Sequence, residues 1–257
     1  MKICLTIAGS DPSGGAGIQV DLKTFTRFEV YGMAVPTALT IQNSTGVFEV
    51  VSIPSDLFEK QLIPLFEDMN LDAIKVGMLF SNDNIERLYQ TFLKFKPSQL
   101  VIDPIIRSTS GFRLLEEKGV DSLKKLLFPF AVLVTPNLKE ASSLTNTSVQ
   151  TVADMEEAAR ILYDLGPKFV LVKGGHLMNE AVDLFYDGES FQTWKSPKID
   201  KKVHGAGCVL SSGITACLAR GHSVETAVEE AHRFVYRAIE QAKPAGKGAY
   251  PLNLFHR

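Results

Sequence analysis

Short apolar runs along the chain alternate with longer segments in which apolar residues recur every three or four positions. The short runs predict buried strands and the longer segments predict helices, because side chains repeat every two residues in a strand and about every 3.6 residues in a helix. The predicted strands cover residues 3–8, 37–42, 73–76, 100–103, 132–135 and 169–173. This alternation predicts an α/β fold, a three-layer αβα sandwich with a mostly parallel central sheet covered by helices on both faces.

Two later segments add to this pattern. Asp187-Gly188 separates two strand-like runs within residues 181–194, which predicts a β-hairpin. Residues 224–242 predict a closing helix that packs Val228, Ala231 and Val235 inward. No Ser/Gly-rich linker, low-complexity tract or repeat divides the sequence, so we expect residues 1–257 to form a single domain.

The composition is that of a soluble globular protein, with 45% hydrophobic and 22% charged residues in 257. Net charge is −2 and the 27 basic residues are scattered, which disfavours a nucleic-acid partner. No apolar segment approaches the roughly 20 residues needed to cross a bilayer. We therefore expect small-molecule partners, with no nucleic acid and no membrane.

The cysteines and histidines indicate neither disulfides nor a zinc site. Three cysteines, Cys4, Cys208 and Cys217, form no C-x-x-C motif, and an odd number fits a reducing, cytoplasmic location. The five histidines show no H-x-x-x-H or Cys/His spacing typical of zinc ligands. We expect no structural metal.

Polar, glycine-containing loops follow all six predicted strands. They read GSDPSGGAG, QNSTG, GMLFSND, DPIIRSTSG, TPNLKEA and KGGH. Ligands of such sheets bind beyond the carboxyl ends of the strands, so we expect these loops to meet at one edge.

The segment HGAGC at residues 204–208 suits an anion. Gly205 and Gly207 allow backbone N–H groups to converge, and the helix that begins there adds unsatisfied amides and a positive dipole end. Cys208 lies in the first turn, where the same field is expected to lower the thiol pKa. A buried helix with a tight entry turn fits this stretch equally well.

Six strings together resemble the hydroxymethylpyrimidine and phosphomethylpyrimidine kinases of thiamine synthesis, within the ribokinase-like superfamily. They are AGSDPSGGAGIQVDLKTF, KVGML, DPIIRSTSG, TPNLKEA, VKGGH and HGAGC, and they run in order through most of the chain. The resemblance implies a ribokinase-like fold, ATP and Mg²⁺ as cofactors, and a homodimer. It also implies two reactions, phosphorylation of 4-amino-5-hydroxymethyl-2-methylpyrimidine and then of its monophosphate to the diphosphate.

Phosphoryl transfer requires that the negative charge be neutralised, the two oxygens be held in line and water be excluded. Gly205, Ala206, Gly207 and the amide of Cys208 are expected to form the anion hole. The resemblance places Cys208 beside the substrate hydroxymethyl, as general base or as a hydroxyl-orienting group. Simple packing remains the alternative, because a free cysteine is often just buried.

The nucleotide and metal residues also follow from the resemblance. Asn137 and Glu140 form an N-x-x-E arrangement similar to the superfamily's magnesium–water site, and the strand-end Asp103 supplies a second carboxylate for Mg²⁺. Glu140 equally suits the first turn of a helix. Lys173 is implied to contact nucleotide phosphates, with a solvated strand-end lysine as the alternative. His176 is treated as an ordinary residue.

On the substrate side, the resemblance implies that Asp21 and Gln42 hydrogen-bond the aminopyrimidine, since a carboxylate accepts and an amide both donates and accepts. From spacing alone, Asp21 equally fits an exposed helix acid. Met78 fits an apolar wall over the ring, and Gly9 lets the backbone approach the substrate. Residues 105–112, including Arg107, fit a flap over the ligands.

Departures from the family pattern keep two alternatives open. Lys202 and Val203 precede His204 where the family has Asn-Thr, and Ala206 replaces a threonine, although the backbone amides remain. A related branch of pyridoxal kinases shares H-G-A-G-C but has a methionine at the position of Gln42 and a cysteine in the flap, which is absent here. The pyrimidine kinase is therefore favoured over pyridoxal kinase.

The second alternative is a non-catalytic vitamin or nucleotide binder. The joint presence of Cys208, Lys173, Asp103 and Glu140 disfavours it, because a binder needs no such paired charges and nucleophile-activating groups.

Overall fold

The computed structural model describes residues 1–175 and 180–256 of the chain, and a nine-stranded sheet forms its centre. The strands are β1 (Ile3–Ser10), β2 (Tyr31–Asn43), β3 (Gly46–Ser52), β4 (Ala73–Val76), β5 (Leu100–Ile102), β6 (Leu133–Val134), β7 (Phe169–Gly174), β8 (Ala181–Tyr186) and β9 (Phe191–Ser196). Their spatial order is β3-β2-β1-β4-β5-β6-β7-β8-β9. The six strands from β2 to β7 in this order pair in parallel, and β3, β8 and β9 are antiparallel additions at the two sides.

Helices connect the strands. They are α1 (Gly17–Arg27), α2 (Ser55–Asp68), α3 (Asn82–Phe95), α4 (Glu117–Ser122), α5 (Leu138–Thr145), α6 (Val152–Tyr163), α7 (Ala206–Ala219) and α8 (Val224–Glu240). A π-helical turn at Leu123–Leu127 and a 3-10 turn at Phe128–Phe130 continue α4. A short parallel pair, β10 (Val203–His204) and β11 (Tyr250–Pro251), lies outside the sheet.

The sheet has one apolar core on each face. In β5, Leu100 and Ile102 belong to the core covered by α2, α3, α5 and α6, whereas Val101 belongs to the core covered by α1, α7 and α8. This division follows from the strand geometry, because successive side chains point to opposite faces. The structure therefore confirms the three-layer αβα arrangement with a mostly parallel central sheet.

The predicted strands all form, but their bounds differ. β2 begins at Tyr31 rather than residue 37, because its first residues pair with β1 from Ile3 onward. β6 contains only Leu133 and Val134. β3 was not predicted, since Phe48 and Val51 face solvent and obscure the alternation that marks a half-buried strand.

The predicted hairpin and closing helix are confirmed. β8 and β9 pair antiparallel around Asp187, whose Oδ1 accepts from the amides of Glu189 and Ser190 at 2.8 and 2.7 Å. α8 ends two residues earlier than the pattern indicated, and Val228, Ala231 and Val235 are buried as expected.

Helix α7 is buried from Cys208 to Ala219, which explains why its sequence lacks a polar face. Among the helices described in residues 1–175 and 180–256, none has the combined length and apolarity that crossing a membrane requires.

Candidate active site

Three adjacent parallel strands end in polar side chains that meet. Asp103 follows β5, Asn137 follows β6 and Lys173 lies near the end of β7. Lys173 Nζ lies 2.5 Å from Asp103 Oδ1, and Asn137 forms an isolated parallel bridge with Lys173. The expectation that these strand-end residues converge at one edge is therefore met.

Asp103 is almost completely enclosed, with 2% of its side chain exposed. Besides Lys173, Thr135 Oγ1 donates to Oδ1 at 3.3 Å and Ser211 Oγ donates to Oδ2 at 3.2 Å. Burial lowers the pKa of Lys173, but the charges of Asp103 and Glu140 outweigh it and hold that pKa above its ordinary value. The result is a nearly dry ion pair with a permanent cation.

Glu140 is both a helix cap and a perturbed acid. Its Oε2 accepts from the Asn137 amide at 2.8 Å, and Asn137 Oδ1 accepts from the Glu140 amide at 2.9 Å, which is a capping box at the start of α5. Burial raises the pKa of Glu140 to about 7; Asp103 adds to the increase and Lys173 opposes it. Both readings of the N-x-x-E motif, helix cap and functional acid, are compatible with this geometry.

Asp103 and Glu140 suit a hard cation such as Mg²⁺. Mg²⁺ prefers oxygen ligands and commonly retains several coordinated water molecules. The mutual repulsion of the two carboxylates contributes to the raised pKa of Glu140, and the charge of Lys173 interacts with both of them. A divalent cation with its waters would compensate the remaining charge.

The HGAGC turn lies directly over this ion pair. A Cβ placed on Gly207 would lie 3.1 Å from Lys173 Nζ and 3.9 Å from Asp103 Oδ2. Gly205 has φ +83° and is the N-cap of α7 without a side-chain cap, so the first amides of the helix lack a side-chain acceptor. A Cβ on Gly205 would lie 1.8 Å from the carbonyl oxygen of Gly15, so glycine is required where the two loops meet. The turn, Ala206 included, presents backbone N–H groups beside a cation.

Cys208 lies in the first turn of α7 as expected, but its ionisation differs from the expectation. The residue is buried, and burial raises its thiol pKa to about 11; Lys75 opposes the increase without cancelling it. The prediction of a lowered pKa is wrong, because burial and the negative charges of Asp21 and Asp103 outweigh the lowering by Lys75. Cys208 is a neutral thiol at pH 7.

Asp21 has no exposed surface at all. Lys75 Nζ donates to both carboxylate oxygens at 2.9 and 2.8 Å, Thr6 Oγ1 donates at 2.6 Å and Ser212 Oγ donates at 2.6 Å. Four hydrogen bonds occupy the carboxylate and argue against the predicted direct substrate contact. The alternative of an exposed helix acid is wrong.

Sequence patterns missed Lys75, Ser211 and Ser212. Lys75 is fully buried in β4, and Asp21 holds its pKa above the ordinary value although burial lowers it. Ser211 and Ser212 are consecutive in α7, and they bond Asp103 and Asp21 respectively. The only sequence signal was a lysine inside the apolar run AIKV. The three residues attach α7 to two buried ion pairs.

The remaining substrate-side residues lie near the ends of β1, β2 and β4. A Cβ on Gly9 would lie 2.2 Å from Met78 Cε, so Gly9 leaves room for the Met78 side chain. Met78 is 5% exposed and packs with Ala38 and Leu114. Gln42 is partly exposed at the end of β2.

Gln42 contacts two polar side chains, neither of which the sequence singled out. Its Nε2 lies 2.8 Å from His204 Nε2, and Thr40 Oγ1 lies 3.1 Å from Oε1. His204 Nε2 in turn lies 3.1 Å from Oδ2 of the buried Asp11. Burial raises the pKa of Asp11, but hydrogen bonds from His204 and Ser13 outweigh it and hold the pKa below its ordinary value.

The predicted flap forms a small loop. An antiparallel bridge joins Arg107 to Arg113, and Gly111, at φ +92°, closes the turn with its amide bonded to the Ser108 carbonyl at 2.9 Å. Arg107 donates to the Gly111 carbonyl at 3.2 Å, so its side chain is used within the loop. His176 lies outside the described residues.

One cluster lies at the far end of α7. Cys217, His222 and Glu230 place their potential ligand atoms within 4.8 Å of one another, which the sequence spacing did not indicate. Cys217 Sγ donates to Glu230 at 3.4 Å, and burial together with Glu230 raises the pKa of the Cys217 thiol to about 12. Metal binding at this cluster would require the Cys217 thiol to lose its proton.

Known proteins resemble this chain over nearly its whole length. The family described as phosphomethylpyrimidine kinase matches residues 11–253. The chain is 43% identical over 248 residues to the hydroxymethylpyrimidine/phosphomethylpyrimidine kinase of Aquifex aeolicus (strain VF5), covering 96% of this chain and 97% of that protein.

Two solved structures have the same fold. The phosphomethylpyrimidine kinase of Clostridium difficile 630 is 41% identical with a TM-score of 0.83, and the match covers 93% of this chain and 100% of that one. An ADP complex of Bacillus subtilis pyridoxal kinase is 39% identical with a TM-score of 0.90, and the match covers 98% and 96%. Because the family model matches residues 11–253, nearly the whole of this chain, the chain belongs to the phosphomethylpyrimidine kinase family.

Proposed function

We propose that the protein transfers the terminal phosphoryl group of ATP to 4-amino-5-hydroxymethyl-2-methylpyrimidine, and then phosphorylates the monophosphate to the diphosphate, in thiamine biosynthesis. One observation carries the proposal: the buried Lys173–Asp103 pair lies under the Gly205–Gly207 turn, at 2.5 Å separation, beside the N-terminus of α7. A cation beside the uncapped first amides of a helix suits a phosphoryl group whose charge is spread over its equatorial oxygens.

On the nucleotide side, the protein's own charged groups act together with a bound metal ion. Lys173 binds the phosphates of ATP, and the amides of Gly205, Ala206, Gly207 and Cys208 receive the transferred group. Glu140, capped by Asn137, and Asp103 would hold Mg²⁺ through its waters. The ion, when bound, supplies charge neutralisation along the phosphates.

Cys208 acts on the substrate hydroxyl as a neutral group. A thiol with pKa about 11 is protonated at pH 7, so Cys208 orients the hydroxymethyl oxygen instead of removing its proton in advance. A loose, largely dissociative transition state places little demand on a strong base, because the nucleophile is only weakly bonded when the phosphoryl group moves.

The aminopyrimidine is recognised by Gln42, with Met78 as an apolar wall and Gly9 as the point of close backbone approach. An amide offers both an acceptor for the exocyclic amine and a donor for a ring nitrogen. Asp21 supports this region from beneath through Lys75 and Thr6 and does not contact the ring.

Pyridoxal kinase is the second candidate. The likeness to Bacillus subtilis pyridoxal kinase, at TM-score 0.90, supports it. Gln42 favours the pyrimidine, because its donor and acceptor match an aminopyrimidine edge.

A homodimer in the cytoplasm, with residues 1–257 as one catalytic domain, completes the proposal. Leu39, Ile41, Phe48 and Val51 on β2 and β3 are 48%, 49%, 60% and 49% exposed, and Leu39 and Val51 are cross-strand partners. Clustered exposed apolar side chains are typical of an interaction surface, and a second copy of the chain is the occupant we propose.

The test is direct. Purified protein is incubated with MgATP and either the hydroxymethylpyrimidine or pyridoxal, and ADP release is followed while the products are identified by mass. We expect ADP release with the pyrimidine and successive formation of its mono- and diphosphate. ADP release with pyridoxal alone would favour the second candidate, and none with either would favour a binder.

A further inference from the structure

His204 occupies a junction between the substrate loop and the anion-hole turn. It forms the end of β10 and directly precedes Gly205, the N-cap of α7. A Cβ on Gly15 would lie 2.9 Å from His204 Cδ2, so the imidazole packs against the loop that follows β1. Only 18% of the His204 side chain is exposed.

The Nε2 atom of His204 lies within hydrogen-bond distance of two side chains, Asp11 and Gln42. Asp11 Oδ2, at 3.1 Å, is a carboxylate oxygen and can only accept. The Asp11 carboxylate also accepts from the amides of Ser13, Gly15 and Ala16 at 2.8, 3.2 and 2.8 Å, which stabilise its charged form. Nε2 must therefore carry a hydrogen, and this one hydrogen is shared in a three-centre bond between Asp11 Oδ2 and the Gln42 amide end at 2.8 Å, which must then present an acceptor.

The other end of the Gln42 amide leads to the same orientation. Thr40 Oγ1 has a single hydrogen, and the Ser10 carbonyl at 2.9 Å is its acceptor. Thr40 Oγ1 is then an acceptor toward Gln42, 3.1 Å away, and needs the amino group there. The two ends of an amide have nearly the same shape, so these hydrogen-bond partners decide which end is oxygen.

We propose that His204 is a specificity-determining positioning residue, whose Nε2–H, shared between Asp11 and Gln42, holds the Gln42 carbonyl oxygen toward the imidazole and the amino group toward Thr40. Each end of the amide then keeps one unused hydrogen-bonding position, a lone pair on the oxygen and an N–H on the nitrogen. The order of acceptor and donor presented to a ligand is thereby fixed. This inference rests on the proposed function, in which that edge pairs with the amine and ring nitrogen of an aminopyrimidine.

Loss of the His204 donor would leave Thr40 to orient the amide without its second contact, so a ligand would meet the mismatched edge more often. Mismatched buried polar groups discriminate strongly against a ligand. The effect should appear in substrate binding, because His204 does not contact the phosphoryl group in the proposed arrangement. It should also vanish where Gln42 carries no amide.

The experiment is a double-mutant cycle in which steady-state constants for the hydroxymethylpyrimidine and for pyridoxal are measured. In the Gln42 background, His204→Phe should raise KM for the pyrimidine about tenfold with kcat within about threefold. In the Gln42→Met background, the same change should leave KM for the pyrimidine unaltered. His204→Gln, which keeps a terminal amide donor, should recover most of the loss, and His222→Phe serves as the histidine control.

Equal losses in both backgrounds would overturn the inference, because His204 would then act through the Gly205 turn. A second measurement is independent of turnover and separates this inference from the proposed function. Imidazole ¹⁵N chemical shifts should show a protonated Nε2 on His204, and the Gln42 side-chain amide signals should move in His204→Phe. A His204 without a hydrogen on Nε2 contradicts the inference even if the enzyme phosphorylates the pyrimidine.

Discussion

Lys173 Nζ lies 2.5 Å from Asp103 Oδ1, with only 11% and 2% of the two side chains exposed. Such a pair is costly to leave unbalanced, because a buried charge without its partner loses solvation and gains nothing in return. The same cation lies 3.1 Å from the position of a Cβ on Gly207, at the turn that precedes α7. In the proposed function, structural stability and phosphate binding therefore both depend on the ammonium group of Lys173.

Lys173→Met should lower both stability and turnover. We expect the free energy of unfolding to fall by about 3–5 kcal/mol, since Asp103 is left buried without a countercharge. Loss of one group that stabilises the transition-state charge should lower kcat about 10²- to 10³-fold. Urea unfolding and steady-state assays measure the two effects.

The matched control is Lys195→Met. Lys195 pairs with Glu180 at 3.2 Å, but both side chains are about half exposed, so its removal should cost no more than about 1 kcal/mol. Wild-type stability in Lys173→Met would contradict the closed ion pair.

Asp21→Asn tests whether Asp21 stabilises the fold or binds the substrate. The Asp21 carboxylate neutralises the fully buried Lys75, so the substitution should lower the free energy of unfolding by about 3–5 kcal/mol. KM for the pyrimidine should stay near the wild-type value, because Asp21 has no exposed surface. A large increase in KM with unchanged stability would restore Asp21 as a ligand of the ring.

Glu140 predicts a pH dependence of stability. Its pKa in the folded state, about 7, lies above the ordinary 4.5, so between these values the folded chain binds a proton that the unfolded chain has lost. Stability from this group is therefore greatest below about pH 4.5 and is lost as pH rises through about 7. Glu140→Gln keeps a side-chain acceptor for the capping box and cannot ionise.

Urea unfolding without Mg²⁺ at pH 5 and pH 8 measures this effect. Relative to wild type, Glu140→Gln should be more stabilised at pH 8 than at pH 5. Glu157→Gln, at an exposed position of α6, should show no such difference. If the free energy of unfolding of Glu140→Gln changed between pH 5 and pH 8 by the same amount as that of wild type, Glu140 would ionise normally.

Cys208→Ala tests the orienting role of the thiol. We expect kcat to fall about 10²-fold while the dissociation constant of the pyrimidine changes little, because orientation of the hydroxyl matters only during transfer. Cys217→Ala, at the far end of the same helix, controls for loss of a buried thiol. Turnover equal to wild type would leave Cys208 with a packing role alone.

Periodicity predicted the sheet, its two helical layers and the hairpin at Asp187, because these depend on the alternation of apolar residues along the chain. It could not reveal Lys75, since a single lysine in an apolar strand has no pattern and its partner Asp21 is distant in sequence. The predicted lowering of the Cys208 pKa was wrong for a related reason. The helix end is visible in the sequence, whereas the depth of burial is a tertiary property.

The substrate is tested most directly by competition. Wild-type protein is given MgATP and equimolar hydroxymethylpyrimidine and pyridoxal, with Gln42→Met assayed in parallel, and the phosphorylated products are quantified by mass spectrometry. We predict that the pyrimidine mono- and diphosphates dominate with wild type and that Gln42→Met shifts the products toward pyridoxal phosphate. Pyridoxal phosphate as the main wild-type product, or no phosphorylated product at all, would contradict the account.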